Sequence, residues 1–257
     1  MQITFIQGIL LTVLAMICAV DAATEAFFWF RPIVVAFFAG IILGDVQLGL
    51  AAGAVAELSY LGLLTVGGTV PPDPLMAGMM TTVIAYASNI SAETALGLAL
   101  PFALLAQWWG IFTNTAYAGF MKPLEEKAKK ADIRGFWNII VVSLVIKSIG
   151  YGVITFLSVY AMQNLISGFV SSFPIWLIHG FEIAGGVLPA VGLGLLLRIM
   201  LKSENTPYLF LGFLMATFLS LGNVLPIAIA AIAIALIGYH NDKKRMVVVG
   251  GSENDGI

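Results

Sequence analysis

Nine apolar runs, with few charges among them, leave this chain one general way to fold. They cover residues 4–20, 32–43, 46–66, 75–88, 94–120, 135–168, 173–200, 207–221 and 224–239. The chain has 257 residues, of which 60% are hydrophobic and only 10% charged. Globular domains carry about 25% charged residues. A soluble domain of this length has too little interior for so much apolar surface. In hydrocarbon every backbone polar group must be satisfied internally, which leaves helices or closed barrels. The runs are continuous rather than alternating, so a barrel is excluded and an all-α, polytopic membrane protein of about nine segments is expected.

Lys and Arg concentrate on the cytoplasmic side of membrane proteins. Lys122, Lys127, Lys129, Lys130 and Arg134 mark the stretch 121–134 as an inside loop, and Arg198 with Lys202 and Lys243–Lys244–Arg245 form two more inside clusters. Nine crossings satisfy all three, with the N-terminus outside and the C-terminus cytoplasmic. The chain then divides into an N-terminal membrane half (1–120), a charged cytoplasmic loop (121–134), a C-terminal membrane half (135–240) and a cytoplasmic tail (241–257). The N-terminal run lacks a positive n-region, so it is read as an uncleaved span. Runs 32–43, 75–88 and 207–221 are short: 12 to 15 residues cover only ~18–22 Å of a ~30 Å core. Some of them are candidates for re-entrant segments. Leu75-x-x-Gly78 with Asn89 reappears at the same offset as Leu209-x-x-Gly212 with Asn223, a faint sign of internal duplication.

The net charge of −2 says little about partners, but without a basic stripe or aromatic-interleaved basic patch no nucleic acid is expected as a partner. The single cysteine, Cys18, forms neither an intrachain disulfide nor a metal site, and no cofactor or metal is expected. No nucleotide-binding loop, zinc motif or catalytic triad is present, so no catalytic residue of its own is expected.

The polar residues inside the apolar runs carry the functional information. A charged side chain deep in hydrocarbon costs at least ~2.5–3.5 kcal/mol, so it faces protein or a water-filled cavity. Gly49, Gly53 and Glu57 recur at i, i+4 and i+8, near one helix face. The small residues admit a neighbouring helix closely. Glu57 then either joins a structural polar pair or faces a solute cavity. In Val66-Gly67-Gly68-Thr69-Val70-Pro71-Pro72-Asp73-Pro74 the prolines forbid continuous helix. Unwound backbone there, with Thr69 and Asp73, suits a polyhydroxylated solute; alternatively Asp73 caps the next helix. Gln107, Trp108, Trp109 and Asn114 lie within the run 94–120. Amides bind sugar hydroxyls and indoles stack on sugar C–H faces, although tryptophans equally serve packing or an interfacial belt. Lys147 and Glu182, in neighbouring spans, are expected to pair. His179 and His240 lie near segment ends; His240 is read as interfacial, and His179 is poorly placed to meet a cytoplasmic phosphodonor.

Arg31-Pro32, Gly40, Leu43-Gly44-Asp45, Gly49, Gly53, Glu57, Gly62 and Pro72-Asp73 together resemble the IIC component of mannose-type phosphotransferase systems, which handle mannose, fructose, sorbose, N-acetylgalactosamine and related hexoses. Ile183-Ala184-Gly185-Gly186, the acidic end and the overall length resemble it too. The resemblance implies a permease in the bacterial inner membrane. Its implied partners are a IID membrane subunit, cytoplasmic IIA and IIB phosphocarriers, and a hexose or N-acetylated hexosamine. It also implies a higher oligomer of IIC–IID units, with Glu57 and Asp73 as sugar-site candidates. Thr69, Gln107, Asn114 and Trp108 complete the expected substrate-binding set from the residue reading. A proton-coupled secondary transporter, with Glu57 carrying the proton, and a membrane scaffold are the competing expectations.

Overall fold

The computed structural model describes residues 2–63, 70–161, 174–219 and 223–251. Among these residues ten α-helices run in chain order: α1 Phe5–Thr24, α2 Pro32–Leu43, α3 Val46–Tyr60, α4 Pro74–Ser88, α5 Ala92–Tyr117, α6 Met121–Lys129, α7 Ile133–Phe156, α8 Ile175–Met200, α9 Thr206–Phe218 and α10 Leu225–Gly251. There is no strand among the described residues. Among the described residues four stretches are long and apolar enough to cross a membrane: Phe5–Thr24, Ala92–Lys129, Ile133–Tyr160 and Ile175–Met200. The chain forms two compact units, residues 1–199 and 200–257.

Short side chains that bond the backbone set the helix starts in the first unit. Thr4 and Gln7 form a reciprocal capping box on α1. Asp45, Asp73, Ser91 and Asp132 cap α3, α4, α5 and α7. The α1–α2 turn wraps around buried Asp21, whose two oxygens accept the N–H groups of Phe27 at 2.8 Å and Trp29 at 2.6 Å. Gly44, at φ +83°, reverses the chain between α2 and α3.

The small residues on α3 pack as their spacing implies. A Cβ on Gly49 would stand 2.5 Å from the Ala36 carbonyl oxygen and 2.8 Å from Gly40 Cα; one on Gly53 would stand 2.9 Å from Ile33 Cα. Gly49→Val is therefore expected to wedge α2 from α3 and cost about 1–3 kcal/mol, seen as a lower melting temperature in detergent.

Helix α4 is short yet central. All residues from Leu75 to Ala85 are buried, with Leu75, Met76, Met79, Met80 and Ile84 packed against Leu11 and Ala15 of α1 and Val35 and Ala39 of α2. A helix enclosed by protein need not match the bilayer's thickness, which explains how 15 residues suffice. Gly78 lets α4 touch the Pro32 backbone, where an added Cβ would stand 2.5 Å from its carbonyl oxygen. Helix α7 joins α1 through the Ser148 hydroxyl, which donates to the Met16 carbonyl at 3.0 Å. Gly185 and Gly192 seat α8 on the carbonyls of Glu93 and Leu58.

Three expectations change. The charged stretch 121–134 is mostly helical: α6 continues from α5 through a 3₁₀ turn at Ala118–Phe120. Lys and Glu are good helix formers, and Lys129 pairs with Glu125 at 2.7 Å, one turn apart. Only a tight turn follows, with Ala131 at φ +52° and Asp132 held by Lys127 at 2.8 Å. That hydrogen bond, with the one from Gly135 N–H, keeps the Asp132 carboxyl below its ordinary range. Second, α3 ends at Tyr60, short of the expected Val66. Third, α10 runs on to Gly251, into the stretch read as a polar tail.

In the second unit α9 and α10 line a cleft of about 380 Å³, walled by residues such as Tyr208, Gly212, Met215, Ile227 and Ile234. The matched asparagines play different roles: Asn89 closes α4 at φ +53°, whereas the Asn223 side chain accepts the Leu225 N–H at the start of α10.

Candidate functional site

The irregular backbone ahead of α4 delivers Asp73 to a cavity of about 180 Å³. Its walls come from four places. Val70, Pro71 and Asp73 precede α4; Gln107 and Asn114 lie on α5; Lys147 and Tyr151 lie on α7; Ala22 and Phe30 close the remaining side. Gln107 and Asn114 are seven residues apart, and Lys147 and Tyr151 four apart, so each pair shares a helix face. Larger clefts on the first unit, such as the one walled by Trp109, Ile146 and Ile149, are lined almost wholly by apolar groups. The Asp73 cavity is smaller than the ~300–1,000 Å³ of drug-sized sites and fits one small polar solute.

Asp73 has two duties. Its Oδ1 accepts the Met76 N–H at 2.8 Å, so it caps α4 as the cap reading expects. Its Oδ2 accepts the Tyr151 hydroxyl at 2.5 Å, which turns the carboxylate toward the cavity. Its backbone is fixed as well: Asp73 N–H donates to the Ala103 carbonyl of α5 at 3.1 Å, and Ala77 N–H donates to the Asp73 carbonyl at 3.0 Å. Lys147 lines the same cavity, and among the described residues it forms no ion pair or hydrogen bond with Asp73, whose carboxylate accepts from Tyr151 and Met76. A cation and a carboxylate thus face one small space.

The amide of Gln107 donates to the Val70 carbonyl, tying the unwound segment to α5. Trp109 holds α7 in place: its indole N–H donates to the Lys147 carbonyl at 3.2 Å, and its ring lies against Gly150. Trp108, one residue earlier, is 67% exposed and lies outside the cavity lining.

Glu57 occupies a different place. Its Oε1 accepts hydrogen bonds from the guanidinium of Arg31, with Nε at 2.7 Å and Nη2 closer, and its Oε2 accepts the Ile33 N–H at 3.3 Å. It is not among the residues lining the Asp73 cavity. Thr69 lies outside the described residues. The expected Lys147–Glu182 pair is not formed: Glu182 meets His179 one turn away at 3.2 Å, and Lys147 faces the cavity instead. Tyr151 was missing from the sequence expectations. Its signal was its place one helical turn after the only lysine inside a span.

A family described as "PTS system sorbose-specific iic component" matches residues 5–237. The N-acetylgalactosamine permease IIC component 1 of Escherichia coli K12 is 44% identical over 244 residues, covering 95% of this chain and 91% of that protein. The mannose-specific EIIC component of the same organism is 28% identical over 221 residues, 85% of this chain and 82% of its own. The sorbose-specific EIIC component of Klebsiella pneumoniae is 27% identical over 238 residues, 92% of this chain and 89% of its own. Among solved structures, one titled "Structure of membrane protein" superposes with a TM-score of 0.82 at 25% identity, covering 93% of this chain and 97% of that one. A chain from the cryo-EM complex of mannose transporter ManYZ with microcin E492 shares the fold at a TM-score of 0.57 and 24% identity, with the same coverage.

Proposed function

We propose, because this chain belongs to the IIC components of mannose- and sorbose-type sugar phosphotransferase systems, that it carries an N-acetylated hexosamine across the bacterial inner membrane. The IIC family makes it a multi-pass membrane component of a sugar permease. The choice of N-acetylgalactosamine is supported by the 44% identity to a permease of that name. The observation that carries the site is the small cavity in which Asp73, Lys147, Tyr151, Gln107 and Asn114 converge.

A sugar hydroxyl in that cavity donates to the Asp73 carboxylate and accepts from the Lys147 ammonium. Such charge-assisted hydrogen bonds are about twice as strong as neutral ones. Asn114 adds a donor and an acceptor, and Phe30 with Ala22 and Ala106 offers an apolar wall to the ring's C–H face or an acetyl methyl. Glu57 belongs to the site as a positioning group. Its bond to Arg31 fixes the start of α2, and Pro32 there packs against Gly78 of the helix that Asp73 caps.

The sugar crosses by alternating access within a complex with a IID subunit, assembled as an oligomer of such units. Cytoplasmic IIA and IIB proteins pass phosphate from phosphoenolpyruvate to the emerging sugar. Nine crossings, with the N-terminus outside and the C-terminus inside, remain the arrangement that the Lys and Arg clusters favour.

The test uses right-side-out membrane vesicles that enclose the whole system and phosphoenolpyruvate. Phosphorylation of N-acetylgalactosamine is expected to require phosphoenolpyruvate and IIB, and to continue when an uncoupler collapses the proton gradient. Accumulation of unmodified sugar that stops with the uncoupler would mark a proton-coupled transporter instead.

A further inference from the structure

Tyr60, the last residue of α3, is 4% exposed, and its hydroxyl has no hydrogen-bond partner among the described residues. A buried, unmatched hydroxyl is costly to retain, and most buried polar groups are paired. Its surroundings show what it serves. The ring packs in one cluster with Ala77 and Ala103. These are the two residues bonded to the Asp73 backbone: Ala103 accepts the Asp73 N–H at 3.1 Å, and Ala77 donates to the Asp73 carbonyl at 3.0 Å. Tyr60 is not among the residues lining the cavity, yet it packs on both backbone anchors of Asp73. Tyr151 supplies the hydroxyl that Asp73 accepts here, at 2.5 Å.

We propose that Tyr60 is a positioning residue whose hydroxyl is the alternate donor to Asp73, engaged in the step of the transport cycle in which the sugar displaces Tyr151 from that carboxylate. The inference rests on the reading of Asp73 as the sugar acceptor. A sugar hydroxyl donating to Oδ2 competes with Tyr151 for the same lone pairs, so the carboxylate must turn or share. A second tyrosine next to its backbone anchors keeps it satisfied while it turns. The orphan hydroxyl is then a donor kept for another arrangement of the same residues.

Tyr60→Phe tests this, because it preserves the ring and removes only the hydroxyl. The readouts are the melting temperature of purified protein without sugar and the kinetics of phosphoenolpyruvate-dependent N-acetylgalactosamine uptake in cells carrying the whole system. A melting temperature equal to or above wild type is expected, with the maximal uptake rate reduced about tenfold or more, the size of one lost hydrogen bond to a charged group. KM is expected to stay within about twofold, since the hydroxyl acts on the moving step and not on first capture. Normal maximal uptake overturns the inference. So does a loss of uptake accompanied by a lower melting temperature, which would mean that the hydroxyl has a structural partner in the unloaded protein. Asp73→Asn, measured in parallel, separates the two levels. Undiminished uptake by Asp73→Asn removes the sugar-acceptor reading and the role of Tyr60 with it. Failure of Asp73→Asn beside a normal Tyr60→Phe removes only the role of Tyr60.

Discussion

Asp73→Asn is expected to reduce uptake severely while leaving the protein folded. Asn caps helices as well as Asp does, and its side-chain oxygen still accepts the Met76 N–H that starts α4. The amide also remains an acceptor for the Tyr151 hydroxyl. What disappears is the negative charge opposite Lys147. Hydrogen bonds to charged groups are worth about 1.5–3 kcal/mol each. Losing the charge opposite the sugar hydroxyl therefore weakens capture by about ten- to a hundredfold. Asp73→Ala serves as the contrast: it forfeits the cap as well, at roughly 1 kcal/mol, and lowers the melting temperature. Uptake and membrane abundance measured together separate the two. Full uptake at normal abundance in Asp73→Asn would remove the cavity from the transport path.

The distinction between these variants follows from how much of the site sequence could reveal. Pro71, Pro72 and Pro74 announce an unwound segment, and a carboxylate just before Pro74 announces both a cap and a membrane-depth charge. The structure gives Asp73 both duties at once, through different oxygens. Gly49 and Gly53 were equally legible, because a four-residue spacing fixes a helix face whatever lies opposite. Partners distant in sequence were not. Lys147 announced itself as the one lysine within a span, but Asp73 stands 74 residues before it and Glu182 only 35 after it. Sequence order favoured the nearer carboxylate, and packing of α7 against α1 and α5 chose the cavity. Adjacent tryptophans posed the same difficulty. Consecutive helical residues point about 100° apart, so one of Trp108 and Trp109 had to face outward. The hydrogen bond from Trp109 to the Lys147 carbonyl identifies the inward one. Tyr60 gave no signal, because an unpaired hydroxyl is a property of the packed structure alone.

Glu57 poses the same question of partners, and it yields the other large expected effect. Arg31→Gln or Glu57→Gln alone is expected to deplete folded protein from the membrane. Each leaves one charge beside a neutral amide, in a half-buried position between α2 and α3. Insertion scales put an unmatched charge at membrane depth at ~2.5–3.5 kcal/mol, a large share of the stability of an ordinary domain. The bond between the ends of the pair also holds Pro32 against Gly78, so its loss loosens the helix that positions Asp73. Joining the two substitutions removes both charges and leaves two amides able to bond each other, and replacing both members of such a pair is commonly near neutral. Arg31→Gln/Glu57→Gln is therefore expected to regain wild-type abundance and melting temperature. Its uptake reads the sugar role apart from the fold. Recovery alongside abundance is the expected result and fits a pair that positions the site from outside the cavity. Abundant, folded protein without uptake would instead place the Glu57 carboxylate against the sugar itself, with Arg31 releasing it during the cycle.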